Sequence, residues 1–145
     1  EIVLMVQKEV GQRICASPPN MSILAISVQF YAGVKIISYV KKENFWPKPK
    51  IDSAIIQIIP GGQTSREAGG LTSPDLFFRI VMSGFSQPRK QLGNNLLALS
   101  LPNGSKMLKL NKDTISKILL KNGIEPKRRA ETLSIDDWIN LTKSF

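Results

Sequence analysis

The chain has 145 residues, 42% of them hydrophobic, enough for one ordinary domain or two small ones. Lys and Arg number 20 against 11 Asp and Glu, a formal charge of +9 that favours a polyanionic partner. With no histidine and one cysteine the sequence excludes an internal disulfide, the usual zinc sites and histidine-activated nucleophiles, and no apolar run reaches the roughly 20 residues of a membrane helix.

Ile2-Val3-Leu4-Met5-Val6 is a continuous apolar run and predicts a strand buried on both faces. Gln7 to Ala16 follows as a short helix with Val10, Ile14 and Cys15 on one side, stopped by Pro18-Pro19. Cys15 reads as a small buried apolar residue, in keeping with a reducing, cytoplasmic setting. Ser22 to Tyr31 satisfies two periods: Ile26, Val28 and Phe30 alternate as in a strand, whereas Ile23, Ile26, Phe30 and Leu24, Val28, Tyr31 fit a helix. Its length favours helix. Gly33 ends it, and the β-branched stretch Val34 to Val40 predicts a second strand.

The next stretch, Asn44 to Ala54, carries Phe45-Trp46-Pro47-Lys48-Pro49-Lys50. Each proline fixes its own φ and pushes the residue before it towards extended geometry, so a stiff, non-helical arm is expected. It leads into a third strand, Ser53 to Ile59, ended by Pro60 and Gly61-Gly62. Such an arm can hold an aromatic face against a flat ligand, with Lys48 and Lys50 close enough to meet phosphate. Trp46 is expected to cap the core. Asp52, beside Ser53, is expected to order the arm by turn hydrogen bonds rather than to act as a base.

Gln63 to Thr72 is polar and glycine-containing, which predicts a linker over 63–72 between a domain at 1–62 and another at 73–145. Ser73-Pro74-Asp75 is a helix start, and Leu76, Phe77, Ile80, Val81, Gly84 and Phe85 recur at helical spacing behind it. After Gln87-Pro88 a helix is expected from Gln91 to Leu101, with Leu92, Leu96 and Leu99 on one face and Asn103-Gly104 closing it. A further helix is predicted from about Asp113 to Asn122, capped by Gly123. Ser134-Ile135-Asp136-Asp137 resembles a capping box that launches a last helix through Trp138, Ile139 and Leu141. The second part is therefore expected to be a small all-α domain. Basic clusters at Lys41-Lys42, Lys48 with Lys50, Arg89-Lys90 and Lys127-Arg128-Arg129 are candidate phosphate contacts.

Four motifs recur in order along the chain: Leu4-Met5-Val6-Gln7-Lys8-Glu9-Val10, Phe45-x-Pro47-x-Pro49-Lys50-Ile51-Asp52-Ser53-Ala54, Phe85 to Leu96, and Gly123-Ile124-Glu125-Pro126 with Arg129-Ala130-Glu131-Thr132-Leu133-Ser134. Together they resemble the ribosomal RNA adenine N6,N6-dimethyltransferases of the KsgA type. The Gly-Ile-x-Pro and Arg-Ala-Glu-x-Leu-Ser motifs are closer to the small-subunit enzymes than to the antibiotic-resistance relatives acting on large-subunit RNA.

The resemblance implies an α/β remnant, the last three strands of a Rossmann-like methyltransferase sheet, followed by the helical domain. It implies S-adenosylmethionine as cofactor of the intact enzyme, small-subunit ribosomal RNA or a pre-ribosomal particle as partner, and no membrane. Phe45 matches the aromatic that stacks on the extruded adenine. RNA contacts are implied at Lys48, Lys50, Arg89, Lys90, Asn94, Lys127, Arg128 and Arg129, although Pro88 stands where the family usually has a basic residue. For Arg129-Ala130-Glu131 a structural link between helices, with Glu131 capping or paired to an arginine, is an equal alternative. The family's Asn-Leu-Pro-Tyr-like tetrapeptide, Gly-x-Gly loop and ribose-holding acid are absent from these 145 residues. The chain is therefore expected neither to bind the cofactor nor to transfer methyl groups by itself, and its first strand is expected to expose an edge that invites a non-native dimer. The competing reading is a non-catalytic, basic RNA-binding or ribosome-assembly module.

Overall fold

A computed structural model of the chain describes residues 1–61, 73–103 and 106–145; over 100–103 and 106–109 it describes the backbone alone. The chain divides into two compact units, Glu1–Ser17 with Leu24–Gly70, and Pro18–Ile23 with Leu71–Phe145. The expected linker at 63–72 lies outside the described residues, apart from its neighbour Ser73 onward.

The first unit is built on three strands, β1 (Ile2–Gln7), β2 (Ala32–Val40) and β3 (Ser53–Pro60), with helices α1 (Lys8–Ile14) and α2 (Ile23–Tyr31). The sheet order is β1-β3-β2 and both pairings are antiparallel. Leu4 and Ile36 flank Ile56, and Val6 and Tyr39 flank Ala54, with a bulge between Ile36 and Ser38. As the central strand, β3 has both ladders satisfied, and Ala54 and Ile56 are wholly buried. Gly11 lets α1 lie close on this face: a Cβ there would sit 2.9 Å from Ala54 Cβ and 3.3 Å from Ile56 Cγ2. The Gln29 side-chain amide donates to the carbonyls of Ile14 (3.0 Å) and Ala16 (2.8 Å), supplying partners that the end of α1 lacks within its own turn. Ser22 to Tyr31 resolves as helix, as its length favours.

The expectation that Ile2 to Val6 is buried on both faces is overturned. Ile2, Val3, Leu4 and Met5 are 44–58% exposed. The strand pairs with β3 on one side only, so its outer edge and much of its apolar surface stay open.

The second unit contains α3 (Pro74–Gly84), α4 (Leu92–Asn95), which tightens into a 3-10 turn at Leu96–Ala98, β4 (Ser100–Asn103), β5 (Lys106–Lys109), α5 (Lys112–Lys121), a 3-10 turn at Ala130–Thr132, and α6 (Ile135–Lys143). Its core gathers Phe77, Ile80, Val81, Leu92, Leu96, Leu119, Ile124, Leu133 and Trp138, each 1% exposed or less. The unit is not all-α. The helix expected from Gln91 to Leu101 gives way after Ala98, and Ser100↔Lys109 to Asn103↔Lys106 pair as an antiparallel hairpin. Pro102 offers no N–H to a helix. Burial of Leu92, Leu96 and Leu99 needs only the short helix and the tightened turn.

Pro18–Ile23 also departs from the expected division, since it groups with the second unit. Met21 is 5% exposed and its N–H donates to the Glu131 carbonyl at 3.0 Å. The caps follow local chemistry. Ser134 accepts from the Asp137 N–H while Asp137 accepts from the Ser134 N–H, completing the box at the start of α6. Gly123 takes φ +70° after α5, where a side chain would be strained. Asn111 caps α5 by accepting from the Thr114 N–H at 2.8 Å, a cap the sequence reading missed. Ser73 precedes Pro74 at the start of α3 but makes no side-chain cap.

Candidate nucleic-acid interface

In the first unit the candidate residues lie on the segment between β2 and β3. A 3-10 turn, Lys42–Asn44, leads out of β2, and Asp52 ties the segment down at its far end. Its Oδ1 accepts from the Lys42 N–H (3.1 Å), its carbonyl accepts from the Lys8 N–H (3.0 Å), and its Oδ2 lies 3.9 Å from Lys8 Nζ. Asp52 thus orders the arm, and its carboxylate faces an ammonium and an amide rather than open space. Lys8 Nζ also stands 5.5 Å from the centre of the Tyr39 ring.

Phe45 is half-buried with extended backbone, φ −118° and ψ 147°. Trp46 is 98% exposed and so does not cap the core as expected. Phe45 lies partly against the protein while the indole beside it stands in solvent. Lys48 and Lys50 are exposed. Lys48 Nζ is 3.1 Å from Glu43 Oε1. The Glu43 carboxyl is held below the usual carboxylate range by a hydrogen bond from its own backbone and, next, by Lys48. Beside Asp52 lies a cleft of about 480 Å³ lined by Lys8, Glu9, Gln12, Lys42, Ile51 and Asp52.

In the second unit two separate segments are spliced together by backbone. The Leu92 N–H donates to the Arg128 carbonyl (2.8 Å) and the Gly93 N–H to the Pro126 carbonyl (3.1 Å). Gly93 allows this close approach: a Cβ there would sit 3.2 Å from the Pro126 oxygen and press on the splice. The splice brings the Arg89-Lys90 turn, and Asn94 on α4, beside Lys127-Arg128-Arg129. Arg89, Lys90, Asn94, Lys127 and Arg129 are all exposed. Arg128 is half-buried and donates through Nε to Thr132 Oγ1 (3.1 Å) and through Nη2 to the Thr132 carbonyl. Arg129 Nη1 lies 3.8 Å from Glu131 Oε1. Arg128 thus ties its own turn to Thr132, while the Arg129–Glu131 pair lies in solvent.

The residue that sequence reasoning missed is Asn95, next to the candidate Asn94. It is 4% exposed, and its amide nitrogen donates to the carbonyls of Gly84 (2.5 Å) and Gln87 (3.0 Å), while its own carbonyl accepts from Ser83 Oγ (3.1 Å). It holds the turn on which Arg89 and Lys90 stand. Among the described residues no three His, Cys, Asp or Glu side chains are grouped to hold a metal ion, and no helix is long and apolar enough to cross a membrane.

A protein-family model described as ribosomal RNA adenine dimethylase matches residues 1–141. "Ribosomal RNA small subunit methyltransferase A" of Anoxybacillus flavithermus (strain DSM 21510 / WK1) is 38% identical over 146 residues, covering 99% of this chain and 47% of that protein. Its counterpart from Bacillus mycoides (strain KBAB4) is 37% identical over 145 residues, with coverage of 99% and 47%. The chain spans about half the length of these relatives. Among solved structures, a dimethyladenosine transferase from Plasmodium falciparum superposes with a TM-score of 0.70 at 26% identity, over 96% of this chain and 54% of that one. The 23S rRNA methyltransferase ErmE shares the fold at a TM-score of 0.68 and 16% identity, over 98% of this chain and 53% of its own.

Proposed function

The chain belongs to the ribosomal RNA adenine dimethylase family, and from that premise we propose that it is the RNA-gripping, base-receiving portion of an S-adenosylmethionine-dependent enzyme that dimethylates adenine N6 in small-subunit ribosomal RNA. The observation that carries this reading is the splice between Leu92-Gly93 and Pro126–Arg128, which converts two basic stretches 30-odd residues apart into one exposed cationic surface. Phe45, Lys48 and Lys50 on the clamped arm are the second element. Extruding a base costs a few kcal/mol, and an aromatic ring stacked on it returns part of that. In this reading Phe45 supplies the ring, Lys48 and Lys50 meet the adjoining phosphates, and Arg89, Lys90, Asn94, Lys127 and Arg129 hold RNA at the second unit.

The residues present do not fit the cofactor. A nucleotide-like ligand held at a strand-to-helix turn needs glycine for close backbone approach, whereas the β1 to α1 junction runs Val6-Gln7-Lys8-Glu9. The cleft beside Asp52 has one apolar side chain, Ile51, among charged and amide groups, and so lacks walls for an adenine ring. No step of methyl transfer is assigned to these residues. Their part is binding and orientation, and the chain on its own acts as a basic RNA-binding module.

The test is a pair of titrations of the 145-residue chain. Calorimetry with S-adenosylmethionine is expected to show no binding, and stoichiometric micromolar binding overturns the misfit. Fluorescence anisotropy with a labelled single-stranded oligonucleotide of small-subunit rRNA is expected to show salt-dependent binding. Changing Arg89 and Lys90 together to alanine lowers the slope of log K against log salt by about 1.4, at roughly 0.7 per phosphate for single strands. A slope unchanged by that substitution refutes the role given to this surface.

A further inference from the structure

The Phe45-Trp46 pair places two aromatic rings on consecutive residues of the arm between β2 and β3, one half-buried and one 98% exposed. Only Phe45 has a role in the proposed chemistry. Trp46 has the largest apolar side chain, and leaving it in water forgoes the burial that such a ring ordinarily gains. Its neighbourhood is cationic: Lys41, Lys42, Lys48 and Lys50 stand within five residues of it, against Glu43, with Asp52 one residue further on. Asp52 is committed to the arm, and Glu43 to a solvent-exposed pair with Lys48 that a phosphate can displace. Pro47 and Pro49 limit how far the arm can rearrange to bury the indole.

Resting on the RNA reading above, we propose that Trp46 is a second stacking platform, which takes an unpaired nucleobase other than the one facing Phe45. Phe45 is half-buried and Trp46 98% exposed, so the two rings present different faces to an incoming strand. The base on Trp46 is therefore a flanking nucleotide of the same single strand, its phosphates meeting Lys48 and Lys50. Lysine-framed aromatic stacking tolerates any base, so the site supplies affinity and strand path more than sequence choice.

The chain's two tryptophans make this directly readable, because Trp138 is wholly buried and Trp46 almost wholly exposed. The red-shifted, acrylamide-quenchable emission belongs to Trp46. Titration with a single-stranded RNA oligonucleotide is expected to quench that component. An abasic oligomer of equal length and charge is expected to bind without quenching it. Trp46→Ala is expected to bind the RNA roughly 5- to 150-fold more weakly at constant salt, with its circular dichroism unchanged, and Trp46→Phe to retain most of the affinity. Salt-dependent RNA binding with unaltered Trp46 emission and undiminished affinity in Trp46→Ala overturns the platform while leaving the RNA reading intact. That outcome hands the exposed indole to a protein partner. Absence of salt-dependent binding by the unsubstituted chain overturns both.

Discussion

Replacing Asn95 with alanine removes two hydrogen bonds that one buried amide group makes to two carbonyls, those of Gly84 and Gln87. The two losses are unequal. Gly84 is buried, so its carbonyl gains no water in exchange and costs about 1–3 kcal/mol when left unpaired, whereas the exposed Gln87 carbonyl is rehydrated and its bond is worth about 0.5–1.5 kcal/mol net. The sum is about 2–4 kcal/mol. In urea, followed by far-ultraviolet circular dichroism, it lowers the midpoint by about 1–2 M at a slope of roughly 2 kcal/mol/M. Asn95→Asp sharpens the test. Its carboxylate faces two carbonyl oxygens with no donor of its own, so its folded pKa is raised, and the neutral acid can restore one of the two bonds. A raised folded pKa means that stability is lost as pH rises through it, so the aspartate variant is expected to be worse than the alanine variant at pH 7 and better near pH 4. RNA affinity should fall in both, because the turn bearing Arg89 and Lys90 loses its tether. An alanine variant within about 0.5 kcal/mol of the parent protein, or an aspartate variant with no pH dependence beyond the parent's, refutes the role given to this amide.

Two further predictions concern packing and burial. In Gly84→Ala the new Cβ would collide with Trp138 Cη2 and lie 3.1 Å from Leu92 Cδ1, so overpacking of about 1–3 kcal/mol matches or exceeds the roughly 1 kcal/mol that alanine gains in a helix. Combining it with Trp138→Phe, which removes the offending ring atoms, should destabilise less than the sum of the two single changes; strict additivity in urea denaturation would show that the contact is relieved some other way. Burial raises the Cys15 thiol above its ordinary pKa, so the folded state keeps the proton longer than the unfolded chain. Its contribution is therefore constant below the ordinary thiol pKa and declines as pH climbs from there to the raised value. Alkylation by iodoacetamide at pH 8 should be slower in the folded protein than in urea, and equal rates would place the thiol in water.

What was legible in the chain was local. The capping box at Ser134 and Asp137, the left-handed cap at Gly123, the proline stop after α1 and the β-branched run of β2 each declare themselves within a few residues, because the physics that makes them is contained there. The hairpin at 100–109 was misread because Leu92, Leu96 and Leu99 satisfy a helical period over only two turns, and a 3-10 turn buries them equally well. The exposure of β1 could not be read from its composition, since an apolar run looks the same whether or not anything covers it. In the candidate site, the motifs marked the right segments but not their partnership. Asn94 and Asn95 are chemically identical neighbours, and only the tertiary fold sends one into solvent and the other between two carbonyls. Trp46 departs from expectation because burial is the usual fate of tryptophan, and nothing within a few residues of it says whether the fold offers it a cover.

The excursion of Pro18–Ile23 into the second unit bears on how this protein can be divided. The polypeptide passes from one unit to the other three times, near residues 17, 23 and 70. A single cut cannot release the second unit whole: a piece starting at residue 71 leaves behind the Met21 side chain and the N–H that the Glu131 carbonyl accepts. That carbonyl belongs to the turn leading from Arg128 and Arg129 into α6. Six residues from the N-terminal part thus make the turn that carries Arg128 and Arg129 a joint product of two distant stretches of the sequence.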